Sequence, residues 1–381
     1  MSKQINLITD ECFHDVKIVN QLGNNLQELR YENFEVGKYV YSTLTFLLKT
    51  SKINLADEFH YNCAKVLVFI GIYTYINTKK LIIDKKIDLA IVFNGRFVST
   101  AAVKHAAMDS GIDYLLHERG YSLNKYILTD KSFHTITQQT ADIHDVSNNV
   151  PESILRLHGS SFFGELNKRS FDDWFSFSHR MEKEKFPEQL LNINYVVFYA
   201  SSDDELETTD GNVLNAGFGN QRESIFALEK AALKAGLKLV VRVHPNLADK
   251  NPAEYEYLNE LNNENCLIIK PTDNYDSYEL AKRAFIVTTF VSSMSIESLY
   301  LKKPVILLGK SRFCFSDEIM KPKNMDELDQ CVSNPVIPKS NIDAFKYGYY
   351  ISNHGYEFNY YKPRDSFNGE IKGLNMYGLN D

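Results

Sequence analysis

Two short groups of residues carry most of the recognisable chemistry in this chain. Arg242-Val243-His244-Pro245 offers a guanidinium and an imidazole, and Ser292-Ser293 followed by Glu297 offers two hydroxyls and a carboxylate. The first closes an apolar, β-rich run, 238–243, with His244 and Pro245 just beyond it, and the second follows another, 285–289. Each therefore falls at or just past the carboxyl end of an expected strand, where open α/β sheets gather ligands. Serines that open a helix present hydroxyls and unpaired N–H groups to an anion, and the helix dipole favours the same charge. His244 can donate a hydrogen bond to a phosphate, and Arg242 or Lys310 can supply countercharge if turned towards the cleft. Glu297, one turn into the helix, can accept from a pair of ribose or sugar hydroxyls. Ser201 and Ser202 lie past a third expected strand, 195–199. A pyrophosphate or phosphodiester suits this set. Taken singly, each group is also ordinary structure: a serine cap with an acid in the first turn, a His-Pro turn, an arginine in solvent. Their shared position at strand ends of one sheet points to a binding site.

The elements that must hold these groups read most clearly in the second half. Strands are expected at 195–199, 238–243, 266–270, 285–289 and 304–308, with helices at 223–235, near 253–261, at 277–283 and at 293–301. Regular β-α alternation with short loops specifies a doubly wound parallel sheet. The first half opens with an expected strand at 5–9 and a long helical region from 56 to 84. An apolar run at 87–93 reads as a strand covered on both faces. The turn Asn94-Gly95-Arg96, a helix over 99–109 and a strand over 112–116 follow, and His117, Glu118, Arg119 and Gly120 lie in the loop beyond. The change of pattern around Trp174 and the charged run 179–185 mark a connector. The expected organisation is a Rossmann-like acceptor-side domain over 1–175, a connector over 176–193, a nucleotide-sugar-binding domain over 194–335, and an aromatic tail over 336–381 that packs back across the junction.

A chain of 381 residues with 44% hydrophobic and 24% charged residues supports folded domains, about two by length. The formal net charge of -7 argues against a nucleic-acid coat, which needs a concentrated positive field. The cysteines at 12, 63, 266, 314 and 331 are odd in number, scattered and without a CxxC spacing, so they read as reduced, buried thiols. The N-terminus lacks the long apolar stretch of a signal peptide, and no run reaches the roughly 20 apolar residues that cross a bilayer. The most apolar window, 66–75, reads as a buried helix. The expected location is cytoplasmic, at or near the inner face of the membrane.

In order along the chain, Phe198 with Ser201-Ser202-Asp203-Asp204-Glu205, Gln221, Arg242-Val243-His244-Pro245-Asn246, Ser277-Tyr278, Ser292-Ser293 with Glu297, and Lys303-Pro304-Val305 resemble the C-terminal half of bacterial capsule and surface-polysaccharide glycosyltransferases. A His-Pro motif followed by a Ser/Thr-rich motif also marks bacterial sialyltransferases, polysialyltransferases, capsular Kdo transferases and teichoic-acid glycerophosphotransferases. The resemblance covers about 195–310. It implies an α/β fold of GT-B type, with two Rossmann-like doubly wound domains facing across a cleft. It also implies that His244, Ser292 and Ser293 hold the donor's phosphate and that Glu297 supports the ribose. In the first half the resemblance rests on Asn94-Gly95-Arg96, which places Asn94 and Arg96 on the acceptor side, and on Glu118-Arg119-Gly120. Capsular Kdo transferases look like Glu-Asp-Gly at that loop, and the missing aspartate argues against Kdo transfer.

A glycosyl transfer needs a base to take the acceptor's proton, and Glu118 and His117 are the candidates. Adjacent residues of an extended segment point to opposite sides, so one of the two faces the cleft. The remaining histidines, among them His105, His134, His144, His158 and His179, read as structural or surface residues. No metal is expected, since Asp203-Asp204, with Glu205 and Glu207, suits a solvated loop better than a metal-binding carboxylate pair. A UDP- or CMP-linked donor is the co-substrate, a glycan or lipid-linked glycan the acceptor, and nucleic acid is not a partner. Transfer of a polyol phosphate from a CDP-alcohol, epimerisation of a UDP-sugar, and a non-catalytic role in capsule assembly are the alternatives.

Overall fold

The computed structural model describes residues 25–48, 50, 53–133, 135–168, 181–202, 217–245, 247, 255–261, 263–365 and 368–376. The expected strand at 5–9, Cys12, His134, Trp174, His179, Asn246, Asp203 to Glu207 and the first five residues of the connector, 176–180, lie outside them. The chain divides into two compact units: Met1–Arg119 with Tyr126–Phe133, and Gly120–Lys125 with His134–Asp381.

The first unit is built on helices α1 (Val36–Leu48), α2 (Glu58–Lys85) and α3 (Val98–Asp109) and strands β1 (Leu89–Phe93), β2 (Asp113–Arg119) and β3 (Lys125–Thr129). Strands β1 and β2 pair in parallel around α3, while β2 and β3 form an antiparallel hairpin. The hairpin holds residues 116–119 extended, so His117 and Glu118 lie inside β2 and not in the loop expected for them.

Helix α2 begins where the Asp57 side chain accepts from the His60 N–H at 2.9 Å. It ends at Lys86, whose φ of 52° is left-handed. Its residues Ala64, Val68, Ile72 and Tyr75, spaced three and four apart, join Phe34, Val40, Val98 and Ala102 in one core. The opposite stripe, with Ile70, Tyr73 and Ile76, is exposed. The window 66–75 is thus buried along one face only. By length and composition alone α2 could cross a membrane, but one face of it belongs to this core. Strand β1 also differs from expectation. Val92 is buried, whereas Leu89, Ile91 and Phe93 are exposed, Ile91 by 63%, so the strand is covered on one face only.

In the second unit five parallel strands, β4 (Tyr195–Tyr199), β5 (Lys238–Arg242), β6 (Cys266–Ile269), β7 (Ile286–Thr289) and β8 (Val305–Leu307), lie in the order β6-β5-β4-β7-β8. All five residues of β4 are buried, as a central strand of a two-sided sheet requires. The helices of this unit are α4 (Ile136–Ser147), α5 (Glu152–Lys168), α6 (Gln221–Lys234), α7 (Ser277–Arg283), α8 (Met294–Tyr300), α9 (Met325–Ser333) and α10 (Ile342–Asn353). The Asn220 side chain and Glu223 close a reciprocal capping box at the start of α6. Between β5 and β6 the expected helix is a 3₁₀ turn, Glu256–Leu261.

Helix α10 crosses α5 where two glycines meet: a Cβ on Gly348 would stand 2.9 Å from the Gly159 Cα. Ile143 of α4, Phe163 of α5, Ile296 and Leu299 of α8 and Tyr350 of α10 share one core. Residues 135–168, expected in the first domain, therefore group with the second unit. The last described residues form a small antiparallel sheet of β10 (Tyr361–Pro363), β11 (Gly369–Ile371) and β12 (Leu374–Met376), preceded by the two-residue strand β9 (Tyr356–Glu357).

Candidate functional site

In the second unit the chain starts at the sheet centre with β4, winds through β5 to β6 on one side, then returns to β7 beside β4 and continues to β8. The direction of winding reverses between β4 and β7. The crevice outside the carboxyl ends of these two strands is the topological switch point, where open α/β sheets bind their ligands. Ser201 and Ser202 follow β4, Ser292 and Ser293 follow β7, and His244 follows β5, the other neighbour of β4. One end of one sheet thus brings together five of the residues expected at the donor site.

The loop after β4 is fixed from α6. Gln221, buried in the first turn of the helix, accepts from the Ser201 N–H at 2.7 Å and donates to the Ser201 carbonyl at 3.0 Å. The buried amide closes a two-point clamp on the backbone, and Ser202 beside it is fully buried. His244 is half-buried at the mouth of β5, and Pro245 after it is buried.

Past β7, the Ser292 hydroxyl accepts from the Met294 N–H at 3.3 Å and the Ser292 carbonyl from the Ser295 hydroxyl at 2.9 Å. Ser292 is therefore occupied in opening α8, as the capping alternative anticipated. Ser293 donates to the Glu297 carboxylate. Glu297 is 8% exposed and also accepts from the Tyr278 hydroxyl at 2.7 Å. Burial raises its pKa above the usual carboxylate range, and the Tyr278 and Ser293 hydrogen bonds oppose that rise. Tyr278 sits in α7, which Asp276 caps by accepting from the Tyr278 N–H, and the Tyr199 hydroxyl ties the end of β4 to the Ser277 carbonyl at 2.6 Å. A strand end, a helix start and a carboxylate are in this way held in one rigid arrangement.

Arg242 does not serve as the expected countercharge. It is 2% exposed, and its guanidinium donates to the Lys270 carbonyl at 2.6 Å, bracing β5 against the turn after β6. Burial lowers its pKa. Lys310, three residues past β8, is exposed.

In the first unit the turn after β1 is made by Asn94 and Gly95, both left-handed, with φ of 61° and 70°. A Cβ on Gly95 would also stand 2.8 Å from the Leu116 side chain. Asn94 Nδ2 donates to Glu118 Oε2 at 2.5 Å, and Asn94 Oδ1 accepts from the Arg96 N–H at 3.0 Å. The second oxygen of Glu118 accepts from the Arg119 N–H. Arg96 is held over the rings of Phe97 and Phe46, at 4.9 and 5.9 Å. Burial lowers its pKa, and the charge of Glu118 partly offsets the loss. Asn94, Arg96 and Glu118 therefore form one cluster. His117 points the other way, its ring stacked on Tyr126 at 5.7 Å.

His105, His144 and His158 are packing residues. His105 is set between Phe34 and Tyr39, and burial pushes it down to about 4. His144 and His158 meet Phe315 and Tyr349 edge-on.

No protein-family model and no curated protein matches the chain. Among solved structures, it is similar to the beta Kdo 2,4 transferase of Thermosulfurimonas dismutans KpsC, at 14% identity over 67% of this chain and 77% of that chain, with a TM-score of 0.44. It is similar also to the UDP co-structure of S. aureus MnaA, at 16% identity over 76% and 84% of the two chains and a TM-score of 0.33. A third is Methanocaldococcus jannaschii UDP-GlcNAc 2-epimerase in complex with UDP-GlcNAc and UDP, at 14% identity over 81% and 94% and a TM-score of 0.30. Similarity of this degree carries no argument about activity. The α/β fold stands on the strand order, and the site on the residues gathered at the switch point.

Proposed function

We propose that this chain is a glycosyltransferase that moves a sugar from a nucleotide-activated donor to a bacterial surface glycan, free or lipid-linked. The observation that carries this reading is the convergence of His244, Ser201, Ser202, Ser292 and Ser293 on the switch point between β4 and β7, with Glu297 fixed beside them. The hydroxyls and the imidazole suit a diphosphate, and hydrogen bonds to its oxygens stabilise the charge that grows as the nucleotide leaves. Glu297, with both bonding groups drawn from protein hydroxyls, retains lone pairs for ribose hydroxyls. Glu118, oriented by Asn94 as a base is oriented in other hydrogen-bonded catalytic pairs, is the general base of this reading. No metal enters it, and the nucleotide sugar is the co-substrate.

Incubation with a panel of UDP- and CMP-sugars and CDP-alcohols, with and without glycan acceptors, tests it. Acceptor-dependent release of UDP or CMP is expected, and His244→Ala or the pair Ser292→Ala/Ser293→Ala lowers it at least about 100-fold. Epimer formation without acceptor, phosphate-linked product, or nucleotide binding without turnover would replace this reading with the epimerase, phosphotransferase or non-catalytic one respectively.

A further inference from the structure

Past β8 the chain runs beside the loop that follows β7. The Leu308 and Gly309 N–H groups donate to the carbonyls of Thr289 and Phe290, each at 2.9 Å. A Cβ on Gly309 would stand 2.6 Å from the Phe290 oxygen, so a glycine is what allows this approach. The approach delivers Arg312, three residues on, to a ring of tyrosines. Its Nη1 donates to the Tyr121 hydroxyl at 3.1 Å, its guanidinium lies 5.6 Å over the Phe313 ring, and Tyr347 and Tyr350 complete the surroundings. Tyr347 packs edge-on against Phe313 at 5.2 Å and lies close enough to Glu297 to feel its charge. The tyrosine ring is thus continuous with the candidate donor site.

Two features of this ring are costly as they stand. Arg312 has five N–H donors and a permanent charge, yet among the described residues it forms no ion pair with a carboxylate. The Tyr350 hydroxyl is buried with the Tyr121 hydroxyl as its near neighbour, and no described partner meets full hydrogen-bond geometry. An anion with several acceptor oxygens offsets both costs. Burial pushes Tyr347 up to about 12, so at neutral pH its hydroxyl keeps its proton.

We infer that Arg312, with the Tyr121 and Tyr350 hydroxyls, binds a phosphoryl group of the donor's diphosphate and supplies the countercharge that Arg242 does not. The phosphoryl assignment follows from the ring's own donors; that the phosphate belongs to a nucleotide rests on the proposed function. Binding of inorganic pyrophosphate, UDP, CMP and glucuronate to the native chain, R312Q and Y350F is measured by calorimetry, and the melting temperature of each is read without anion. The native chain is expected to bind pyrophosphate and a nucleotide. R312Q weakens both about 10- to 100-fold and Y350F about 10-fold, as the loss of hydrogen bonds to a charged group predicts. Without anion, Y350F melts no lower than the native chain, since the hydroxyl it loses meets no partner in good hydrogen-bond geometry. Nucleotide affinity within about 3-fold of native in R312Q overturns the inference and leaves the proposed function standing. Arg312-dependent binding of pyrophosphate with no nucleotide bound supports the anion site and removes the nucleotide reading. Binding of glucuronate alone overturns the phosphoryl assignment. If R312Q does not fold, Y350F carries the test alone, and unchanged pyrophosphate affinity with a lowered melting temperature overturns the inference by showing a purely structural hydroxyl.

Discussion

Glu297 is held in two opposing ways, and a variant separates them. Its carboxyl pKa is raised by burial above the ordinary value of 4.5, against hydrogen bonds from Tyr278 and Ser293. A carboxyl raised on folding binds its proton more tightly in the native state, so it costs stability as pH rises from 4.5 through the folded value. Glu297→Gln removes that charge. Urea unfolding is expected to show the variant gaining on the native chain between pH 4 and pH 7.5 in the absence of ligand, while its nucleotide affinity falls. A variant that loses ground over the same range would mean that the carboxylate is already compensated inside the protein. Gln221 makes the complementary case, because its two hydrogen bonds go to a backbone that no other described group supports at Ser201. Gln221→Leu leaves a buried N–H and a buried carbonyl unmet and is expected to cost about 3 kcal/mol, read from the urea midpoint at constant slope. The strand-end positions of Ser201, His244 and Ser292 could be read from the sequence because they depend on local pattern. The clamp by Gln221, the Tyr278 bond to Glu297 and the turning of Arg242 towards Lys270 could not, because each is a contact between segments 19 to 28 residues apart.

At the scale of elements, the strands of the second unit were legible to within a residue at either end. Each is built around an apolar, β-rich run bounded by turn residues, and burial on both faces favours such a run. Strand β3 and helices α4, α5, α9 and α10 were not read, and the reason is visible in how they are held. Strand β3 takes its conformation from antiparallel pairing to β2, and α10 from packing on α5 at the glycine pair. That pair can be tested. A Cβ on Gly159 would stand 2.7 Å from the Phe345 Cα, which cannot move without α10. Replacing glycine by alanine inside a helix gains about 1 kcal/mol in propensity, and forcing two packed backbones apart costs about 1–3 kcal/mol. The second effect wins where the clash is with backbone, so Gly159→Ala is expected to lower the unfolding midpoint. Gly164 lies in the same helix with nothing within 4 Å of its Cβ position, and Gly164→Ala is expected to raise the midpoint.

For the whole molecule, the two units each own a core. The residues of one cluster, Phe34, Val40, Val68, Ile72 and Ala102, all belong to the first unit, and those around Val196, Phe198, Ile225 and Val241 all belong to the second. Length pointed to about two domains, and that much was legible. The grouping of 135–168 with the second unit was not, because it depends on α10, almost two hundred residues further along the chain. Separate cores mean that a ligand stabilises directly only the unit whose groups it contacts. If the nucleotide is bound at the switch point, the stabilisation, about 2.7 kcal/mol at a ligand concentration one hundred times its Kd, belongs to the second unit. Hydrogen exchange with UDP or CMP at that excess is expected to slow amides in β4, β5 and β7 and in α8, which exchange by opening that unit, and to leave those of α2 unchanged. Equal slowing in α2 would mean that the nucleotide's contacts are shared with the helices of the first unit. Slowing confined to α2 would move the nucleotide away from the switch point, and with it the roles proposed for His244, Ser292 and Ser293.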